Sequence, residues 1–351
     1  MSAKKVRFAV IGAGMIGAVH ASALAELPET AELVAIVDVD RPKALALAEQ
    51  HGAEHTDDLT ALLSRDDIDA VTVCTPSGLH ADVAVAALYA GKHVVIEKPI
   101  DVSLAAADRI IQAETRSGRK ATVISQHRFD RSTETVLRAV TDGTLGSITS
   151  AMASHAWWRG QSYYDSGEWR GTWALDGGGA VMNQTVHTIN LMLTMVGTPV
   201  EVFAYTACLA HERIEVEDTA VAVLRFDSGA LGMIHGTTAA YPGLDARLSV
   251  YGTKGSAVVS DDQLVYLHET VGAATEIGMS SMTGGNQVTA AHEIGSDELS
   301  FGHAHRLQLA DFIAAVTTGG VPRVSTSDAR TSLAVILGLY ESATTGLPVR
   351  L

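Results

Sequence analysis

The chain has 351 residues, 47% hydrophobic and 19% charged, with a formal net charge of −15. That length exceeds one ordinary core, so two globular domains are expected. The acidity argues against a nucleic-acid partner, and no uninterrupted apolar stretch has the length to span a membrane. Two cysteines, Cys74 and Cys208, are too few for a disulfide framework or a Cys-rich zinc site, and fit a cytoplasmic protein.

The opening "MSAKKVRFAVIGAGMIGAV" has the basic start and apolar run of a secretory signal. Arg7 interrupts it, and glycines punctuate it, so it reads instead as a first strand and turn. A strand from Lys5 to Ile11 runs into "GAGMIG", carrying Gly12, Gly14, Met15, Ile16 and Gly17, and then into a helical apolar pattern. G-x-G-x-x-G between a strand and a helix is the dinucleotide fingerprint in its required context. Gly12 allows the tight turn, Gly14 the approach of a pyrophosphate, and Gly17 close helix packing. Alone, the pattern also suits a structural turn.

The next strand, "ELVAIVD", ends at Asp38, 21 residues after Gly17, where this motif has its ribose-binding acid. A carboxylate there favours NAD over NADP, although Arg41 can soften that preference. The competing role for Asp38 is at the start of the helix in "DVDRPKALALAEQ". Strands and helices then alternate: "DAVTVCTP", "GLHADVAVAALYAG", "KHVVIEK", "SLAAADRIIQAETRSG" and "KATVIS". Such alternation predicts a parallel, doubly wound α/β Rossmann domain over residues 1–125, with ligands at the carboxyl ends of its strands. Gly14, Asp38, Thr75, Pro76, Glu97, Lys98 and Pro99 all fall at those ends, with His80 close behind. "VVIEKPI" could be a plain strand edge; its position on this rim gives Glu97 and Lys98 a use. A cis Lys98–Pro99 bond is a further expectation.

From Gln126 the pattern changes. A helix near Thr133–Val140 precedes "ITSAMASHAWW", "VEVFAYTACL", "DTAVAVLRF", "ALGMIHGTTAA", "ARLSVYG" and "GSAVVS". These predict an α+β domain over residues 126–351, with a large, mostly antiparallel, open-faced sheet and helices on one face. Its other face is wet or covered, and a homodimer or homotetramer through the sheet is expected. C-terminal helices are expected to pack back on the first domain. Residues 270–300 lack periodicity and read as loop.

Within "DGGGAVMNQTVHTINLMLTMVG", helical spacing puts Asn183, His187 and Asn190 on one face. That face can be wet, but the glycine run suits close approach to a ligand or to the other domain. Upstream, "WWRGQSYYDSGEWRGTW" gathers Trp157, Trp158, Tyr163, Tyr164, Trp169 and Trp173. The rings suit sugar faces, with Arg159 or Arg170 on hydroxyls; they suit an interdomain or subunit contact equally well. His127 and Arg128 either face the cleft or begin a helix. His303 and His305 lack further ligands nearby in sequence, so no metal is expected.

"AVIGAGMIG", "TPSGLHADVAVAALYAGKHVVIEKP", "GGGAVMNQTVHTINLML" and "HRLQLADFIAAV…ILGLYESATTGLPV" together resemble the Gfo/Idh/MocA oxidoreductases, over nearly the whole chain. The resemblance implies NAD(P)-dependent hydride transfer on sugars, polyols or related carbonyls. It implies Lys98 at the catalytic centre and His187 as the acid/base. The chain departs from the inositol dehydrogenases at Asn183, where they have Asp; an amide cannot hold the charge that stabilises an imidazolium. Asn190 likewise replaces a frequent Asp.

The leading expectation is a dehydrogenase or reductase of a sugar, glycoside or inositol-like polyol, using NAD with NADP possible. Substrate is expected at Lys98, Arg128, Trp157, Trp158, Tyr163, Tyr164, Asn183 and His187. An NAD-dependent redox-neutral glycosidase is the alternative. A non-catalytic sensor is a third, against which Lys98 and His187 argue.

Overall fold

A computed structural model describes residues 5–269 and 302–351. The loop expected over 270–300 lies outside them. The first sheet comprises β1 (Val6–Ile11), β2 (Ala31–Val37), β3 (Glu54–Thr56), β4 (Ala70–Val73), β5 (His93–Ile96) and β6 (Ala121–Val123). All its pairings are parallel, in the order β3-β2-β1-β4-β5-β6. The four residues of β4 are all buried, as befits a strand covered on both faces. The covering helices are α1 (Met15–Ala25), α2 (Arg41–His51), α3 (Leu59–Leu63), α4 (His80–Tyr89) and α5 (Leu104–Ser117). The pair β3 and α3 escapes the sequence pattern. Its strand is a three-residue polar edge, Glu-His-Thr, without an apolar run.

The second sheet comprises β7 (Ile148–Ala156), β8 (Pro199–Ala207), β9 (Thr219–Phe226), β10 (Leu231–Thr237), β11 (Ala246–Gly252), β12 (Gly255–Ser260), β13 (Gln263–Glu269) and β14 (Val349–Arg350). The order is β13-β12-β11-β7-β10-β9-β8-β14, antiparallel except for β7 beside β10. Strand β9 alternates buried and exposed residues. Ala220, Ala222 and Leu224 join the core, while Val221 and Val223 face out.

The remaining helices are α6 (Arg131–Thr141), α7 (Gln161–Tyr164), α8 (Val186–Val196), α9 (His303–Thr318) and α10 (Thr326–Thr345). Helix α8 packs on β7 and β11, and α6 on β12 and β13. The C-terminal helices return to the first sheet's layer, α9 against α1 and α10 against α5. Immediately before α8, residues Ala180–Thr185 form a π-helix, so the chain there does not keep the spacing of an α-helix. The Lys98–Pro99 bond is cis.

Candidate active site

A cavity of about 1010 Å³ runs from the glycine loop of the first domain to the inner strands of the second. The loop builds its floor. A Cβ on Gly17 would sit 1.9 Å from the Gly12 carbonyl, so only glycine lets α1 start so close to β1. A Cβ on Gly14 would meet nothing within 4 Å, which leaves backbone N–H groups at the start of α1 open to an anion. Met15 and Ile16 line the cavity here, whereas Gly17 is buried in packing.

Asp38 lies on the wall at the end of β2 and accepts hydrogen bonds from Ala13 N (2.6 Å) and Asp40 N (2.8 Å). The helix cap that competes for it in the sequence is supplied by Asp40, whose side chain accepts from Lys43 N at 3.3 Å. Lys43 lines the cavity and Arg41 does not, so the nearby cation is not the one expected from sequence. Thr75, Pro76 and His80 line the next stretch. The His80 ring nitrogens meet the carbonyls of Pro99 (2.8 Å) and Thr75 (2.9 Å), clipping together the loops after β4 and β5. An open helix N-terminus beside an acid at the end of the second strand fits the pyrophosphate and ribose of NAD.

Glu97 is buried. Its Oε1 lies 2.8 Å from His20 Nε2 and 3.5 Å from His305 Nε2, and its Oε2 accepts from the Lys98 backbone N–H at 3.0 Å. Burial opposes its charge, but these partners outweigh it and hold its pKa well below the usual carboxylate range. The expectation that His305 has no partners able to complete a ligand set is therefore corrected. The fold brings His20 and Glu97 to it, all three ligand atoms lying within 4.8 Å of one another. A second such group is His127 with Asp130 and Asp262. In both groups the ring nitrogens already meet the carboxylate oxygens, Glu97 with His20 and His305, and His127 with Asp130 and Asp262.

Lys98 Nζ donates to the backbone carbonyl of Asn183 (2.7 Å) and to its side-chain Oδ1 (3.1 Å). The other end of that amide donates from Nδ2 to Asp176 Oδ1 at 2.7 Å. Burial lowers the Lys98 pKa, while Glu97 and Asp176 oppose the shift. His187 lies on the same wall, its ring edge-on to His127 with centroids 5.1 Å apart. Burial, then the charges of Lys98 and His127, push its pKa well below the ordinary value, so it is neutral near pH 7. His127 opposes burial with two aspartates, Asp130 (2.8 Å) and Asp262 (2.9 Å), and is raised to about 10.

The expected Asn183–His187–Asn190 face is not one network. Asn183 and His187 both line the cavity, but the Asn183 side chain bonds Lys98 and Asp176 and makes no bond to His187 among the described residues. Asn190 is buried beneath, accepting from Ser125 Oγ (2.7 Å) and Arg128 Nε (2.8 Å). Arg128, expected at the substrate, pairs with Asp328 and is not part of the cavity lining. The glycine run serves close packing between the two sheet layers: a Cβ on Gly177 would lie 2.5 Å from the Val102 side chain.

Of the aromatic segment, Trp157, Tyr163 and Trp169 line the cavity, with Arg159 and Arg170. Trp158 is outside, its ring against Tyr241 and His211. Tyr164 is buried, bonded to Thr238 Oγ1 at 2.8 Å. Residues not picked from sequence also join the wall, among them His155, Gln184, Thr188 and Asp262. Asp176, which holds Asn183, had one visible signal: it opens the glycine run.

Residues 6–125 match the oxidoreductase family with an NAD-binding Rossmann fold, and residues 133–258 match the GFO/IDH/MocA C-terminal domain. The chain is 36% identical over 264 residues to myo-inositol 2-dehydrogenase of Thermotoga maritima, covering 71% of this chain and 74% of that one. It is 26% identical over 357 residues to scyllo-inositol 2-dehydrogenase (NAD(+)) of Bacillus subtilis, covering 99% and 96%. The WlbA dehydrogenase of Bordetella pertussis, solved with NADH and UDP-GlcNAcA, superposes with a TM-score of 0.90 at 32% identity, over 100% of this chain and 99% of that one. With a matching domain at each end of its active-site cavity, the chain belongs to the Gfo/Idh/MocA family and is a dehydrogenase that uses a nicotinamide cofactor.

Proposed function

We propose that the chain moves hydride between a hydroxyl-bearing carbon of a sugar, glycoside or cyclic polyol and nicotinamide, with NAD preferred over NADP. The observation that carries this reading is Lys98 and His187 sharing one cavity with the glycine loop and Asp38. When bound, the nicotinamide supplies the hydride acceptor. Lys98, held by Asn183, donates a hydrogen bond to the reacting oxygen and stabilises its developing negative charge. His187, neutral in its buried setting, takes the hydroxyl proton. Asp176 steadies Asn183 and through it the ammonium.

Cofactor preference rests on Asp38, whose carboxylate repels a 2′-phosphate. Lys43 on the same wall moderates that repulsion. Self-association through the second sheet is supported by its outward Tyr205, Val221, Val223 and Leu231. Among the described residues no helix is long and apolar enough to cross a membrane. The two free cysteines suit the cytoplasm.

The test is a panel of neutral and acidic sugars, glycosides and inositols incubated with NAD or NADP and followed by NADH or NADPH absorbance. Turnover with at least one member, faster with NAD, is expected. Sugar release without net NADH would point instead to a redox-neutral glycosidase. No reaction of either kind across the panel would overturn the proposal.

A further inference from the structure

Five side chains on the substrate side of the cavity form a continuous stack. The Arg159 guanidinium lies over the Trp157 ring (4.9 Å) and the Tyr163 ring (5.0 Å). The Arg170 guanidinium lies over Tyr163 (4.4 Å) and Trp169 (4.6 Å). All five line the cavity. Ring contacts occupy the flat faces of a guanidinium and leave its N–H edges to hydrogen-bond in the plane. The same contacts take up part of each ring's surface, so these aromatics orient arginines, a use the sequence did not suggest.

The N–H edges are only partly used. Arg159 donates from Nη2 to Gln184 Oε1 at 3.2 Å, and its buried Nε has no partner. Arg170 donates from Nη1 to the Tyr163 hydroxyl at 2.8 Å. Among the described residues neither arginine makes an ion pair, although Arg65, Arg128, Arg213, Arg323 and Arg330 all do. Among the described residues Arg41, Arg116, Arg119, Arg138 and Arg350 likewise show no ion pair, but they lie outside the cavity that Arg159 and Arg170 line. The nearby Asp176 carboxylate is taken up by the Asn183 amide and the Gly171 N–H (2.9 Å). Lys98 adds a third cation, and both arginines depress its pKa. His127, charged as well, is offset by Asp130 and Asp262, whereas Lys98, Arg159 and Arg170 repel one another in a partly desolvated cavity, and a bound anion relieves that repulsion.

We propose that the substrate carries an anionic group, a carboxylate or a phosphate, which Arg159 and Arg170 bind while its reacting hydroxyl meets Lys98. The proposal rests on the dehydrogenase reading above and narrows its substrate to acidic or phosphorylated sugars and polyols. Planar forks of donors match both groups, and charge-assisted bonds to them are the stronger kind.

The test uses the whole protein loaded with NADH. Calorimetry compares D-glucuronate, D-glucose 6-phosphate and D-glucose, and NAD reduction is followed with the same three compounds. One of the two anions should bind at least roughly tenfold more tightly than glucose, and which one does so tells carboxylate from phosphate. Arg159→Gln and Arg170→Gln should each weaken that anion by roughly tenfold to a hundredfold, the range for losing a charged hydrogen bond. Should either variant fail to fold, the wild-type preference alone decides. Glucose bound as tightly as both anions, neither anion bound, or an anion preference unchanged in both variants would each overturn the proposal. So would weakened NADH binding in both variants, which would assign the arginines to the cofactor. The underlying reading fails differently: an anion would bind selectively, yet no compound of the wider panel would yield NADH.

Discussion

Lys98 binds both oxygens of Asn183, the backbone carbonyl at 2.7 Å and the amide oxygen at 3.1 Å. These residues stand 85 apart in the chain. The contact joins the two domains at the point where chemistry is expected, and it accounts for an amide where a carboxylate is expected from the inositol dehydrogenases. The amide accepts from the ammonium at one end and donates to Asp176 at the other.

Replacing Lys98 by Ala should lower kcat by roughly a hundredfold or more, the cost of losing one donor to a developing oxyanion. NAD should still bind, because the glycine loop and Asp38 are untouched. Titration calorimetry with NAD and steady-state rates on the pure variant check both halves. Near-normal kcat would remove Lys98 from the mechanism.

Asn183→Asp should raise the apparent pKa of the high-pH limb of kcat/KM. A carboxylate beside Lys98 favours the ammonium, whose pKa is lowered by burial in the wild type. The sequence alone assigns the effect of this substitution to His187. The contacts assign the larger shift to Lys98, since Asn183 makes its side-chain bonds there and to Asp176. A pH–rate profile whose high-pH limb stays in place would contradict this.

Asp38→Ala should weaken NAD binding by roughly tenfold, the loss of about one charged hydrogen bond, and narrow its advantage over NADP. Part of the loss comes from the glycine loop, because Asp38 also holds the Ala13 N–H. Binding titrations with both cofactors read this directly. A wild type that prefers NADP would show that Asp38 does not select the cofactor.

Glu217 makes stability depend on pH. Its carboxylate accepts from Gly179 N (3.0 Å), Val181 N (2.8 Å) and the Tyr340 hydroxyl (3.0 Å), anchoring the start of the π-helix. Burial outweighs these bonds and raises its pKa to about 7. The folded chain therefore holds this proton where the unfolded chain has lost it. Stability should fall as pH rises from about 4.5 to about 7, by on the order of 3 kcal/mol from this group. Glu217→Gln should flatten that part of the Tm–pH curve. An equal slope in the variant would assign the dependence to other groups.

Trp158→Ala should change KM by less than about twofold, as expected for a ring away from the reacting groups. It should lower Tm, because the ring packs on Tyr241 (centroids 5.3 Å apart) and closes no part of the cavity. A large rise in KM with unchanged Tm would return Trp158 to the substrate site.

The first sheet was legible in the sequence because its information is local. A buried strand, a glycine turn and an amphipathic helix each occupy a short window, and their alternation leaves little choice but a parallel sheet. The same holds for the rim residues: Gly14, Asp38, Thr75 and Lys98 lie at strand ends, and strand ends can be read from apolar runs. The alternation along β9 likewise revealed a sheet with one open face.

What only the tertiary structure decided are contacts between distant segments and departures from regular periodicity. Helical spacing put Asn183 and His187 on one face, and both line the cavity, but the partner Asn183 meets, Lys98 of the first domain, is set by packing. The Glu97–His20 pair spans 77 residues, and nothing in either local pattern refers to the other. The aromatic segment was legible as composition alone. Which faces its rings present depends on how the chain after β7 folds over the cavity, and there Arg159 and Arg170 lie against the rings of Trp157, Tyr163 and Trp169. Local periodicity records which side of an element is buried; the partner it meets is set by packing of the whole chain.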